Sequence, residues 1–119
     1  MKLVILAGGQ GTRMEEFTKK IPKPLCTIGD LPMLVHLMFY YSKYGIRDFI
    51  ICSGFKGRLI NKFFTENLSK KIKKNIKNWS IKIVNTGIHT NTGGRIKRIS
   101  KLVKNEKEFL LTYGDALSN

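Results

Sequence analysis

A glycine-rich turn with an arginine follows the first apolar segment of the chain. Residues 6–13 read LAGGQGTR, directly after an apolar run that begins at Lys2. Glycines let a backbone approach a ligand closely, and successive backbone N–H groups in such a turn bind anions. Arg13 adds a planar, permanently charged donor for phosphate oxygens. The combination predicts a cradle for a triphosphate, with a tight structural turn as the alternative.

Two familiar phosphate-binding patterns differ from this turn. The dinucleotide fingerprint G-x-G-x-x-G would need a glycine where the chain has Met14. The P-loop pattern, which requires Gly-Lys-Ser/Thr after its first glycine, does not occur in the sequence.

Two further residues have the chemistry of a phosphate or metal site. Lys23 lies between Pro22 and Pro24, which predicts an extended, stiff segment that presents a point charge to a phosphate. A surface lysine in a proline-rich loop is the alternative. Asp115 follows Gly114 at the end of an apolar run, where a carboxylate suits Mg²⁺ and would equally cap the next helix or turn.

The elements that position these residues alternate between buried strands and amphipathic helices. Strands are predicted over residues 2–7, 48–52, 79–84 and 108–113, and helices over residues 32–45, 56–64 and 94–103. This rhythm predicts a parallel sheet covered on both faces, with right-handed crossovers. Ligands of such sheets bind at the carboxyl ends of the strands, and loops after later strands complete the crevice. Because the chain stops soon after its last predicted strand, we expect part of a larger domain; a small complete four-strand domain is the alternative.

The composition narrows the possible partners. A formal charge of +14 fits nucleic acid, anionic lipid or phosphorylated small molecules as partners, although a lysine-rich proteome is the favoured explanation. The lysine run at residues 69–78 has no aromatic interleaving before Trp79, which favours a solvated helix face or loop over a nucleic-acid site. Cys26 and Cys52 lack metal or disulfide spacing and are interpreted as small core residues. His36 is interpreted as a core or helix-face residue. Since no apolar run approaches the roughly 18 residues of a membrane span, we expect a cytoplasmic protein without a membrane partner. The character of the lysine run leads us to expect no nucleic-acid partner either.

Several strings together resemble the sugar-1-phosphate nucleotidyltransferase family. LAGG-x-GTR at residues 6–13 and Pro-Lys-Pro at residues 22–24 match the family signature. T-G-G-R-I-K-R at residues 92–98 and T-Y-G-D at residues 112–115 resemble its cytidylyltransferase group. The resemblance implies a Rossmann-like three-layer α/β/α nucleotide-diphospho-sugar transferase fold with a mostly parallel sheet. It also implies that residues 1–119 are the N-terminal nucleotide-binding part of a single domain, truncated at the C-terminus.

The activity that the resemblance implies is nucleotidyl transfer of the EC 2.7.7 class. A nucleoside triphosphate, best matched by CTP, would join a sugar-1-phosphate, best matched by glucose-1-phosphate. The products would be CDP-glucose and pyrophosphate, for polysaccharide biosynthesis, and the full-length protein would be a homo-oligomer. Specificity for UTP, GTP or dTTP stays open, as does an inactive fragment or a basic nucleic-acid-binding module. The family has a longer insertion between its second helix and third strand than residues 67–78 provide.

The resemblance also assigns roles to individual residues. Arg13 and Lys23 would be the catalytic cations, with Lys23 on the α-phosphate or the incoming sugar phosphate. Asp115 would hold Mg²⁺, the implied cofactor. The remaining nucleotide contacts would be made at the phosphates by Gly11 and Thr12, at the base and ribose by Ala7, Gly8 and Gly9, and at the base side by Thr92, Gly93, Gly94 and Arg95.

Overall fold

The computed structural model describes residues 1–7, 23–54, 57–66, 68–86, 94, 96–97, 99–104 and 108–114. Its strands are β1 (Lys2–Ala7), β2 (Thr27–Ile28), β3 (Leu31–Pro32), β4 (Asp48–Ser53), β5 (Ser80–Asn85) and β6 (Phe109–Tyr113). Its helices are α1 (Met33–Ser42), α2 (Gly57–Glu66), α3 (Lys70–Ile76) and α4 (Ser100–Val103), with a short 3₁₀ helix at Lys23–Leu25.

One parallel sheet with the strand order β5-β4-β1-β6 forms the centre of the molecule. Strand β1 pairs with β4, with Lys2 opposite Asp48, and on its other side with β6, with Leu6 opposite Tyr113. The chain therefore runs from β1 through β4 to β5 on one side and returns to place β6 on the other. This reversal puts the topological switch point of the sheet between β1 and β6.

Apolar side chains of β1 alternate between two buried clusters, one on each face of the sheet. On the first face, Leu3, Ile5 and Ala7 pack with residues of α1 and with Ile60 of α2. On the second face, Val4 and Leu6 pack with residues that include Ile99 and Val103, next to and within α4. Helices thus cover both faces of a parallel sheet, which confirms the predicted three-layer α/β/α class.

The strands of the central sheet begin and end within one residue of their predicted bounds, and α1 and α2 occupy the predicted helical segments. Helix α1 begins after Pro32 and is followed by Gly45 at φ 87°, as its proline and glycine predict. Both cysteines are buried thiols, in agreement with their interpretation as core residues.

Two local predictions are wrong. Lys23 begins a 3₁₀ helix instead of an extended segment, because the φ that proline imposes, near −65°, suits both conformations. The predicted helix over residues 94–103 is interrupted at Ile99, whose φ of −103° and ψ of 9° leave the helical region. Ile99 is 1% exposed, so the residue at which the helix is interrupted is buried against the second face of the sheet.

The lysine run forms helix α3, one of the two outcomes that the sequence favoured. The side chain of Ser69 caps this helix by accepting a hydrogen bond from the N–H of Ile72 at 3.3 Å. No described helix is long and apolar enough to cross a membrane.

The short antiparallel pair β2-β3 was not predicted from the sequence. His36 of α1 ties this hairpin to the helix, since its Nε2 donates to the carbonyl oxygen of Ile28 at 2.7 Å. The bond confirms the interpretation of His36 as a helix-face residue.

Candidate functional site

The carboxyl ends of β1 and β6 lie side by side at the switch point of the sheet. The pairing of the two strands extends one residue past β6, where the N–H of Gly114 donates to the carbonyl oxygen of Leu6 at 2.9 Å. Open α/β sheets bind ligands in the crevice outside the strand ends at such a point. The geometry therefore marks this edge as the candidate site.

Close packing around Gly114 brings a third segment to the same edge. A β-carbon placed on Gly114 would lie 3.2 Å from Ala7 Cβ, 3.3 Å from Ile5 Cγ2 and 3.3 Å from Pro24 Cγ. These distances are tighter than ordinary van der Waals contact, so glycine fits here because it lacks a side chain. Pro24 is buried, and the 3₁₀ helix that contains it is fixed against the ends of β1 and β6.

Three segments predicted to carry phosphate chemistry thus start from one place. The glycine-rich turn leaves Ala7, Lys23 is bonded to Pro24, and Asp115 follows Gly114. Ala7 is 2% exposed and its side chain packs in the first cluster, so it would contribute backbone to a ligand. Gly8, Gly9, Gly11, Thr12, Arg13 and Asp115 lie outside the described residues, as does the side chain of Lys23.

Strands β4 and β5 are joined at the same edge by a buried pair of hydroxyl residues. The carbonyl oxygen of Ser53 accepts the N–H of Thr86 at 2.7 Å and the Thr86 hydroxyl at 3.0 Å. The Ser53 hydroxyl donates to the carbonyl oxygen of Val84 at 3.4 Å. These bonds fix the position of Thr86, directly after the end of β5.

The residues expected at the base side follow that point. Gly94 is half-buried and helical, whereas Thr92, Gly93 and Arg95 lie outside the described residues. Strands β5 and β1 are two strand positions apart, or about 10 Å at the usual spacing. One elongated ligand with a base at one end and phosphates at the other matches that separation.

The phenol of Tyr44 has a raised pKa, and this residue lies at the amino ends of the strands, away from the candidate site. Tyr44 follows α1, and its hydrogen bond with Tyr40 raises the pKa of its phenol, aided by the charge that Tyr40 would carry. Because α1 runs from the carboxyl edge toward the amino edge, this pair lies away from the switch point and takes no part in the candidate site.

Known proteins share the sequence pattern of this chain. Residues 2–119 match the model of the nucleotidyl transferase family. The chain belongs to the nucleotidyl transferase family. It is 43% identical over 133 aligned positions to the glucose-1-phosphate cytidylyltransferase of Salmonella typhimurium, covering 100% of this chain. It is 41% identical to the probable glucose-1-phosphate cytidylyltransferase of Bacillus subtilis, again over 100% of this chain. The resemblance stated from the motifs is confirmed.

A solved nucleotidyltransferase structure has the same fold. The UDP-glucose pyrophosphorylase complexed with UDP-glucose matches 96% of this chain with a TM-score of 0.80 and 27% identity. The chain spans about half the length of these relatives, namely 52% of the Salmonella protein and 45% of the pyrophosphorylase. The 133 aligned positions exceed the 119 residues of this chain, so the Salmonella protein has residues within the aligned stretch that this member lacks. That they form an insertion between the second helix and third strand stays a prediction.

Sequence reasoning missed the residues that hold this edge together. Pro24 was interpreted as stiffening Lys23, and its packing against Gly114 was not predicted. Ser53 and Thr86 were assigned no role. The position of these residues was a usable signal. Each polar residue comes at the end of an apolar strand, on the side of the sheet where ligands bind.

Proposed function

We propose that this chain binds CTP, as the nucleotide half of an enzyme that transfers a cytidylyl group to glucose-1-phosphate. The observation that carries the proposal is the convergence of Ala7, Pro24 and Gly114 at the switch point of the sheet. Each of the three is bonded to a segment with phosphate or metal chemistry. The similarity to cytidylyltransferases of Salmonella and Bacillus supports the choice of base and sugar.

The reaction needs geometry and charge more than covalent participation by the protein. A phosphate oxygen of glucose-1-phosphate attacks the α-phosphorus of CTP, and the bond from that phosphorus to the bridging oxygen breaks. Pyrophosphate leaves with the electron pair, and CDP-glucose remains. Positioning the two anions and offsetting their charge lower the barrier to this step.

Two cations of this chain would perform that work. Arg13 would hold triphosphate oxygens, together with backbone N–H groups of Gly11 and Thr12 in the glycine-rich turn. Lys23 would place an ammonium on the α-phosphate or on the incoming sugar phosphate. The packing of Pro24 supports this role, because a buried neighbour restricts where the lysine side chain starts.

Asp115 suits a magnesium ion by its chemistry and by its place in the sequence, directly after Gly114. Mg²⁺ in nucleotide enzymes takes one or two carboxylates together with phosphate oxygens and water. The bond from Gly114 to Leu6 holds the preceding residue at the strand end, next to the proposed phosphate turn. When bound there, the ion would supply positive charge to the phosphates.

Titration calorimetry with the 119-residue chain tests the proposal. With Mg²⁺ present, we expect CTP to bind and Arg13→Ala to weaken it about tenfold or more, the loss expected for a charge-assisted hydrogen bond. Arg47→Ala is the matched control. Arg47 directly precedes β4, at the amino ends of the strands, and its guanidinium donates to the carbonyl oxygen of Ser42 at 3.0 Å. Its replacement should therefore leave CTP affinity unchanged. No heat with CTP, UTP, GTP or dTTP would refute nucleotide binding.

Uridylyl transfer is the second candidate. It is favoured by the match to a UDP-glucose pyrophosphorylase complexed with UDP-glucose, at a TM-score of 0.80. The same titrations separate the candidates, because tighter binding of UTP than of CTP would assign the chain to the uridylyl group. For either candidate function, we propose a cytoplasmic location and homo-oligomeric assembly of the full-length protein.

A further inference from the structure

Helix α3 and its C-terminal cap present a row of lysines to solvent. Ile72 and Ile76 turn toward the protein, where Ile76 is buried and Ile72 half-buried. Four exposed lysines lie on the other side, within an arc of about 100° at 3.6 residues per turn. They are Lys70, Lys73, Lys74 and Lys77, which we call the lysine stripe. Because α3 contains no acidic residue, its own carboxylates do not balance this charge.

Two exposed tyrosine rings lie at the end of the neighbouring helix α1. Tyr44 is 72% exposed and Tyr40 38%. Their ring centroids are 5.6 Å apart at an interplanar angle of 61°, and a hydrogen bond between the two side chains holds them together. We call these residues the tyrosine pair. Rings that are already ordered in this way receive a planar group at a lower cost in side-chain freedom.

Contacts between α1 and the end of α3 bring the lysine stripe and the tyrosine pair to the same side of the molecule. Trp79, which follows α3, packs edge-on against Phe39 of α1, with 5.2 Å between the ring centroids. A groove of about 720 Å³ lies between the two helices, with His36 and Phe39 on one wall and Asn75 on the other. Since His36 precedes Tyr40 by one helical turn, the groove leads to the tyrosine pair.

We propose that this surface binds single-stranded nucleic acid, with phosphates along the lysine stripe and bases on the tyrosine pair. Single-strand sites combine a cationic track for the backbone with aromatic rings on which bases of any type stack. The lysine run itself has no aromatic residue before Trp79, which is why the sequence predicted no such partner. The fold supplies the missing rings from α1.

Two features separate this surface from other partners and from the candidate site. A lipid surface fits less well, because the isoleucines of α3 turn inward and leave that helix no apolar side chain to enter a bilayer. The tyrosine pair lies at the amino ends of the strands, whereas the proposed CTP site lies at the carboxyl ends. Binding of nucleic acid is therefore independent of the proposed enzymatic function.

Fluorescence anisotropy with a short labelled oligouridylate tests the tyrosine pair. Tyr44→Ala should weaken binding about fivefold or more, the loss expected for one stacked base. Tyr44→Phe keeps the ring and should keep the affinity. Tyr113→Ala is the matched control, because Tyr113 is 55% exposed in β6, and it should bind as the unchanged chain does. Circular dichroism verifies that each variant is folded.

The salt dependence of the same binding tests the lysine stripe. The double variant Lys73→Ala/Lys74→Ala should weaken binding and make the slope of log affinity against log salt shallower by about 1.4, or about 0.7 for each lost phosphate contact. Lys101→Ala/Lys104→Ala is the control, because both lysines are exposed at α4 on the second face of the sheet. It makes the same change in net charge and should leave the slope nearly unchanged.

Arg13→Ala separates this surface from the proposed CTP site and should leave the oligouridylate affinity unchanged. Loss of binding in that variant would place the oligonucleotide at the CTP site and overturn the proposal. Equal losses in the two double-lysine variants would reduce the binding to net charge, and equal affinity for a duplex of the same length would show that no base stacks on the tyrosines. Either result would overturn the proposal, as would binding to phosphatidylserine vesicles without binding to the oligonucleotide, or no binding to either.

Discussion

Gly114 lies directly against Pro24, since a β-carbon on Gly114 would come within 3.3 Å of the Pro24 ring. This contact joins the end of β6 to the segment that carries Lys23. Lys23 and Asp115 are far apart in the sequence, yet the residues bonded to them touch. The geometry explains how a lysine near the start of the chain and a carboxylate near its end can serve one ligand.

Replacing Gly114 with valine should disrupt this junction. The added side chain would crowd Ala7, Ile5 and Pro24, and overpacking of this kind costs about 1–3 kcal/mol of the free energy of unfolding. Urea denaturation followed by circular dichroism measures the loss. Thr112→Val is the control, because Thr112 is a half-buried neighbour on the same strand and valine has nearly its shape. Equal urea midpoints for Gly114→Val and the control would contradict the packing described for Gly114.

The sequence predicted most of the central sheet, for a physical reason. Strands β1 and β4 are continuous apolar runs, and the structure buries them from both faces. The hairpin β2-β3 was missed because two strands of two residues have no periodicity. Its signal was the pair Gly29-Asp30 between Ile28 and Leu31, with Gly29 at φ 65°.

Strand order could not be predicted from the same pattern. The run FLLTY of β6 reads as an interior strand, yet β6 forms an edge in the described sheet. Apolar composition reports how many faces a strand buries and carries no information on which strand is its neighbour. The switch point between β1 and β6, and with it the meeting of Ala7, Pro24 and Gly114, follows from tertiary pairing.

Replacing Thr86 with valine tests the junction of β4 and β5. Thr86 is fully buried and its hydroxyl donates to the carbonyl oxygen of Ser53 at 3.0 Å. Valine keeps the shape and removes this bond, while the N–H of residue 86 still donates to the same oxygen. We therefore expect a loss of about 1 kcal/mol of the free energy of unfolding, the usual value for one net hydrogen bond.

Urea denaturation of Thr86→Val and of Thr65→Val measures this difference. Thr65 is exposed, and its hydroxyl donates within its own helix to the carbonyl oxygen of Asn61 at 2.9 Å, so its loss should cost less than that of Thr86. A smaller loss for Thr86 than for Thr65 would show that the buried bond does not stabilise the junction.

Replacing Lys23 with alanine separates a ligand contact from a surface charge. If the ammonium binds a phosphate of CTP, its removal should weaken CTP binding about tenfold, or about 1.4 kcal/mol. The dependence of binding on salt should also become shallower, since one screened attraction is lost. Lys43→Ala is the control, because Lys43 is exposed after α1, at the amino ends of the strands. Its replacement makes the same change in net charge. Calorimetry at two salt concentrations measures both effects. Equal affinities for the two variants would assign Lys23 to the surface of a proline-rich loop, the alternative that the sequence left open.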